Sequence, residues 1–567
     1  MMAGMIAAAW LVAVGTTVAA AADVGKLEGR TVEAGKGMVV SARPEASRVG
    51  VEILKQGGTA VDAAVAVAFA LAVTFPEAGN IGGGGFMMIH PPSPAEVVCV
   101  EYRETAPGRA TRTMFGLKEN RHAHRQVGVP GTVRGLALAH KRFGKLPWRK
   151  LVSPSVRLAR EGFLLDEPLA RSLNALVKSS AAFPELRRVY GKSSGKEDWK
   201  TGDRFIQLDL ADTLDQIAVG GPDAFYLGAV ADRIVAEMQA GGGLITKADL
   251  AGYRARIRKP IHGTYRGYDV YGPPPPSSGG ICLIQMLNML ETFDLRQRDR
   301  YSAENLHLIV ETMRRAFLDR AKHLGDADFV TIPAHLTTKR YAKRLAAEID
   351  LEKASDSKKL APEVRLAPES ESTTHFSVVD AMGTAVSNTY TLEQSFGSRI
   401  VVRGGGFLLN NEMGDFNPVP GHTDRKGRIG TSANQIEPGK RMLSSQTPII
   451  AAKNGHPVLV TGSPGGRTII NTVLGVILGA LEFDEDLRQA VDSPRLHHQW
   501  LPDQARFEGL NDPKFAETIE KLRQQGHAFH PSARSQGDAH SIWIDLAAGR
   551  IFGVADTRRK TGTAAGY

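Results

Sequence analysis

Between Thr373 and Glu393 apolar and polar residues alternate with the period of a pleated strand. Phe376 and Val378 share one face with Val386, Tyr390 and Leu392. Thr373, His375 and Ser377 share the other with Ser387, Thr389, Thr391 and Glu393. The two runs are split by Ala381-Met382-Gly383, and a glycine at the end of a three-residue loop takes φ > 0 without steric cost. Pairing Asp380 with Thr384 and counting outward sets Thr373 opposite Thr391. Thr373 therefore opens a strand on a small, polar face, with a second hydroxyl and a carboxylate nearby.

Elsewhere the pattern changes period. Helices are expected over 46–56, through the apolar run 63–73, and at 133–142, 154–161, 210–219, 229–240, 281–290, 303–324 and 468–482. Strands are expected at 38–41, 86–89, 97–102, 400–402, 407–410, 448–451 and 458–461, with 128–330 mainly helical. The glycine run Gly79 to Gly85 precedes a strand and lacks Lys-Ser/Thr, so it marks close backbone packing or a substrate site rather than a phosphate loop. Gly272 to Gly280, with four prolines, reads as a rigid extended feed into the next helix. Residues 352–372 lack apolar periodicity and read as an exposed loop, and 415–434 as a long loop of the kind used for lids.

Composition narrows the class. At 567 residues, 42% hydrophobic and 23% charged, the chain is globular with ample core. A net charge of +10 with both signs interspersed, and no basic run interleaved with aromatics, argues against nucleic acid. Residues 1–22 resemble a secretory signal, which predicts a periplasmic or secreted protein without a stable membrane span. The two cysteines, Cys99 and Cys282, read as buried thiols, with a single disulfide as the alternative. The histidines at 122, 124, 497 and 498 lack partners at ligand spacing, so no metal is expected.

The candidate chemistry sits at the strand that starts with Thr373. A polar segment ending abruptly in Thr-Thr is either an ordinary linker or a cut site; a threonine freed there gains an α-amine of pKa about 8 beside its own hydroxyl. Gly465-Gly466, at a strand end and helix start, suits an oxyanion hole as well as a plain turn. Glu412 and Asp415 are two carboxylates three apart, Ser444-Ser445 offers hydroxyls, and Arg103 stands at a strand end where a solvated charge is the ordinary reading.

The ordered series Thr-Thr-His-Phe-Ser-Val-Val-Asp, Thr-Tyr-Thr, Leu-Leu-Asn-Asn-Glu-Met-Gly-Asp-Phe, Leu-Ser-Ser, Gly-Ser-Pro-Gly-Gly and Pro-Arg-Leu-His-His-Gln-Trp resembles the gamma-glutamyltransferases (gamma-glutamyltranspeptidases). Upstream, Gly-Asn-Ile-Gly-Gly-Gly-Gly-Phe-Met, Tyr-Arg-Glu-Thr-Ala-Pro and Pro-Pro-Pro-Pro-Ser-Ser-Gly-Gly extend the match over nearly the whole chain.

The resemblance implies an α+β fold, the four-layer αββα sandwich of the N-terminal nucleophile hydrolases, formed jointly by two self-cleaved subunits. Residues 1–22 would be the signal, 23–372 the large subunit and 373–567 the small one, cut between Ser372 and Thr373. Thr373 would be the nucleophile, Thr391 its hydrogen-bonding support, and Gly465 and Gly466 the oxyanion donors. Arg103 and Ser444 would grip a substrate α-carboxylate with help from Ser445, while Glu393, Glu412 and Asp415 would hold its α-ammonium. Glutathione and other γ-glutamyl donors, amino acid or dipeptide acceptors and no cofactor follow from the same likeness. Glu393 stands where some family members carry Asn, and Lys426 where many place a Tyr over the pocket. The alternatives are a glutaryl-cephalosporin-type acylase of the same superfamily and an unprocessed periplasmic γ-glutamyl-binding protein.

Overall fold

The computed structural model of the protein describes residues 28–116, 119–360, 373–419 and 432–567. The expected signal, Ser372 and Lys426 lie outside them. Two antiparallel sheets stack face to face. The first has eight strands in the order Glu28–Gly29, Thr563–Gly566, Met38–Ser41, Thr374–Val379, Ala385–Thr391, Gly84–His90, Val98–Glu101 and Arg256–Arg258. The second has seven: Thr31–Ala34, Arg550–Ala555, His540–Asp545, His456–Thr461, Ile449–Lys453, Tyr268–Gly272 and Ile261–Tyr265. In both sheets, strands from before and after residue 373 are neighbours: Met38–Ser41 pairs with Thr374–Val379, Ala385–Thr391 with Gly84–His90, and Ile449–Lys453 with Tyr268–Gly272.

Helices close both outer faces, giving helix, sheet, sheet, helix. Pro44–Lys55 and Ala60–Thr74 cover the first sheet; Gly279–Leu290, with Thr468–Ile477 beside it, covers the second. Ala60–Thr74 is apolar all round because every residue in it is buried. Asp62, at the edge of that run, caps it: its carboxylate accepts from the Thr59 N–H at 2.9 Å while Thr59 Oγ1 accepts from the Asp62 N–H at 3.1 Å.

The hairpin has the register that the alternation sets. Thr374 pairs with Tyr390, Val379 with Ala385, and the Asp380 N–H donates to Thr384 O at 3.1 Å. Its apolar face packs under the helices; its polar face looks inward at the second sheet and is buried. Each polar group there has a partner: Ser377 Oγ donates to His540 O at 2.8 Å, Ser387 Oγ to Thr461 O at 2.9 Å, and His375 Nδ1 lies 2.8 Å from Thr389 Oγ1.

Two expectations need correction and two are refined. Segments 400–402 and 407–410 form no strands; they meet only at an isolated Val401–Leu408 bridge. The helix expected from Pro154 starts at Trp148, because Leu151, Val152, Ser155, Val156 and Ala159 make one buried stripe running past the proline. The mainly helical stretch contains the strands at 256–258, 261–265 and 268–272. Within 352–372, Ser357 is buried rather than loose: its N–H donates to Asp503 Oδ2 at 2.9 Å and its carbonyl accepts from Trp500 Nε1 at 2.8 Å. Cys99 and Cys282 are buried free thiols. Among the described residues no helix is long and apolar enough to cross a membrane.

Candidate active site

Thr373 sits at the mouth of the hairpin, its Oγ1 3.4 Å from Thr391 Oγ1, and both line one pocket. Thr391 is fixed from three sides. The Glu393 N–H donates to its Oγ1 at 2.9 Å, Asn80 Nδ2 donates to its carbonyl at 3.0 Å, and it pairs across the sheet with Gly84. Asn80 is itself fully used: Nδ2 also donates to Ala78 O at 2.8 Å, and Oδ1 accepts from the Gly83 N–H at 2.9 Å and from Thr132 Oγ1 at 2.8 Å. The glycine run is therefore close backbone packing against the hairpin. A Cβ on Gly83 would fall 2.0 Å from Thr391 O, and one on Gly84 2.4 Å from Tyr102 O.

The pocket also gathers Arg103, Glu393, Glu412, Asp415, Ser444, Ser445 and Gly466. Gly465 immediately precedes Gly466 in the turn that starts the helix Thr468–Ile477, and their φ values of +128° and +57° account for glycine at both places. Ser444 and Ser445 are positioned by the proline-rich tract. The Ser444 N–H donates to Pro276 O at 2.8 Å, and Ser278 Oγ donates to Ser444 O at 2.7 Å. Arg320, which the sequence did not single out, reaches from the helix Ala303–His323 to Ser278 Oγ at 2.9 Å and Ser445 Oγ at 3.0 Å.

Arg103 is not a solvated charge. Its side chain is 1% exposed, and its Nη2 lies 2.7 Å from both Glu412 Oε2 and Asp415 Oδ2. Glu104 Oε2 stands 3.4 Å from Nη1, and Nε donates to Met442 O at 3.4 Å. Three carboxylates thus crowd one guanidinium. Burial raises the Glu412 carboxyl well above the usual carboxylate range; Arg103 opposes this, and Glu104, Asp415 and Glu393 add to it. Glu104 is raised for the same first reason. A cluster so rich in acid favours an incoming cation, and the arginine among them favours a carboxylate.

The described ends of the long loop meet: the Asn417 N–H donates to Asn434 O at 2.8 Å, and Asn434 Nδ2 donates to Asp415 O at 2.7 Å. Lys426, between these ends, lies outside the described residues. The histidines serve packing: His124 Nε2 lies 3.1 Å from Glu237 Oε1, His497 Nδ1 accepts from Asn471 Nδ2 at 2.7 Å, and His498 Nε2 faces Asp503 Oδ1 at 3.3 Å. Among the described residues no group of three or more His, Cys, Asp or Glu could hold a metal ion.

The family model for Gamma-glutamyltranspeptidase matches residues 46–567. The chain belongs to the gamma-glutamyltranspeptidase family. Among its gamma-glutamyltranspeptidase relatives, the "Glutathione hydrolase proenzyme" of Escherichia coli (strain K12) is 44% identical over 545 residues, 94% of this chain and 93% of that protein. The "Acylase ACY 1 proenzyme" of Pseudomonas sp. (strain SE83) is 37% identical over 483 residues, 83% of this chain and 84% of that one. The solved cephalosporin acylase from Bacillus halodurans superposes with a TM-score of 0.83 at 26% identity, covering 95% of this chain and 97% of that chain. The gamma-glutamyltranspeptidase fold here is accordingly the αββα sandwich of the N-terminal nucleophile hydrolases.

Proposed function

We propose that the protein hydrolyses and transfers γ-glutamyl groups, glutathione among the donors, after cutting its own chain between Ser372 and Thr373. The observation that carries this is the placing of Thr373 Oγ1 3.4 Å from Thr391 Oγ1, at a pocket that also holds Arg103, Glu412 and Asp415. The large piece would end at Ser372 and the small one begin at Thr373. The freed α-amine, with a pKa of about 8, accepts the proton of the Thr373 hydroxyl as Oγ1 attacks the γ-carbonyl carbon. The tetrahedral oxyanion is met by the N–H groups of Gly465 and Gly466, and its collapse breaks the amide and releases the leaving amine, protonated by the same α-ammonium. Water, or the amine of an amino acid or dipeptide acceptor, then attacks the threonyl ester and frees Thr373. Arg103, Ser444 and Ser445 face the donor's α-carboxylate; Glu393, Glu412 and Asp415 stand on the side of its α-ammonium. Export to the periplasm or medium would follow from residues 1–22.

A second reading, acylase action on glutaryl amides, is supported by the acid cluster already being occupied by arginines, which weakens the demand for an ammonium. Two measurements decide. A denaturing gel of the mature protein should show two fragments for wild type and one for Thr373→Ala, and the smaller should begin at Thr373. Initial rates on γ-glutamyl and glutaryl anilides should then favour the γ-glutamyl compound. A faster glutaryl rate would refute the assignment, and a single full-length band in active wild type would sink the mechanism.

A further inference from the structure

Arg121 lies in the charged stretch Arg121-His122-Ala123-His124, well before residue 373 in the chain, yet its guanidinium spans two elements that follow it. Its Nη2 binds Glu393 Oε1, and its Nη1 donates to Gly414 O at 2.6 Å. Glu393 lies just beyond the hairpin strand, two residues past Thr391, at φ +80° and with its side chain 5% exposed. Gly414 is in the single turn Glu412–Asp415 that presents the other two acids. A Cβ on Gly414 would land 1.7 Å from Arg121 Nη1, so the glycine leaves the room that the guanidinium fills. The acids of the site are thus divided between two arginines: Arg103 takes Glu412 and Asp415, and Arg121 takes Glu393.

We infer that Arg121 is a specificity-determining residue for the donor: it holds Glu393 as an internal ion pair, so that the donor's α-ammonium meets only Glu412 and Asp415, the two acids that share Arg103. This rests on the γ-glutamyl reading above. A buried carboxylate that loses its cation gains attraction for any other cation that reaches it. Removing Arg121 therefore strengthens recognition of donors that carry an α-ammonium and does nothing for glutaryl donors, which lack one. Removing the charge of Glu393 does the reverse, because an unpaired Arg121 then faces the incoming ammonium.

The test is a double-mutant cycle read as the ratio of kcat/KM for γ-glutamyl anilide to that for glutaryl anilide, at about pH 7.5 where the donor's ammonium is charged. Arg121→Met should raise the ratio about tenfold, carried by KM for the γ-glutamyl compound. Glu393→Gln should lower it about tenfold, and the pair together should return it to within about threefold of wild type. Arg121→Lys, which keeps the charge but cannot reach both Glu393 and Gly414 O, should hold the ratio within about threefold, and Arg121→Gln, polar but uncharged, takes the place of Arg121→Met in the cycle if that variant does not mature. A ratio unmoved by both Arg121→Met and Glu393→Gln, with only the yield of mature enzyme changed, would make Arg121 structural and overturn the inference. A double variant that fails to return would overturn it too. If instead wild type prefers the glutaryl compound, the γ-glutamyl reading fails while the cycle still reports whether Arg121 and Glu393 are coupled.

Discussion

Gly83→Ala is the substitution that asks most of the site while touching no group proposed to react. The alanine Cβ would stand 2.0 Å from Thr391 O and 2.7 Å from Asn80 Oδ1, where ordinary contact begins at 3.4 Å. Neither neighbour is a flexible side-chain tip: one is backbone in the sheet, and the other is an amide whose hydrogen bonds are all committed. Strand and glycine loop must therefore part by about 1.4 Å, and overpacking of that kind costs about 1–3 kcal/mol of stability. The displacement falls on Thr391, whose Oγ1 is already 3.4 Å from Thr373 Oγ1, so that contact opens beyond hydrogen-bonding range. A misplacement of about 1 Å at a reacting group is worth about 100-fold in rate. The variant should mature slowly on a denaturing-gel time course, and its matured fraction should show kcat on γ-glutamyl anilide reduced about 100-fold. Gly252→Ala is the control: its Cβ would meet nothing within 4 Å, at an exposed helix end. Should Gly83→Ala mature and turn over within about twofold of that control, the claim that the glycine loop fixes Thr391 would be wrong.

Two further outcomes follow from the packing around Thr391 and His527. Thr391→Val keeps the shape and removes the hydroxyl, so kcat should fall about 10- to 100-fold with KM within about twofold; an unchanged kcat would strip Thr391 of its supporting role. Burial, and then the adjacent His307, push the His527 imidazole down to about 3. The unfolded chain takes up that proton below about pH 6.5 and the folded chain does not until about pH 3, so stability falls as pH is lowered through this window, by up to about 1.4 kcal/mol per unit. Tm measured from pH 7 to 4.5 should therefore decline less steeply in His527→Gln, and an unchanged slope would refute it; His497, also pushed down to about 3 by burial, keeps the slope from vanishing.

The hairpin was legible because a period of two admits one register once the turn is placed, and the turn carried its own glycine. What a single chain could not display was the surface that the polar face meets. Ser377 and Ser387 look like solvent-facing residues until His540 and Thr461, remote in sequence, supply their acceptors. The strands Thr31–Ala34, at the edge of the second sheet, and Thr563–Gly566, one in from the edge of the first, were not legible because four residues are too few to establish a period. At the site, Thr373, Thr391 and Glu393 were readable from one hairpin. Arg121, Arg320 and Asn80 were not, because each acts through a fold-made contact. Asn80 stood in view inside a glycine run, and the only available hint was an amide placed where the backbone on either side had been cleared. Pro154 misled in the opposite way: it signals a helix start, but a buried stripe on both sides of it kept the helix whole.

The neighbours across both sheets carry a consequence for the life of the molecule. Among the described residues six seams join a strand that precedes residue 373 to one that follows it: Glu28–Gly29 and Met38–Ser41 each against Thr563–Gly566, Met38–Ser41 against Thr374–Val379, Gly84–His90 against Ala385–Thr391, Thr31–Ala34 against Arg550–Ala555, and Tyr268–Gly272 against Ile449–Lys453. Once the backbone opened ahead of Thr373, neither portion could leave without unravelling both layers at once. Each molecule would keep for good the mate it was translated with, and a damaged portion could be replaced only by making a new protein.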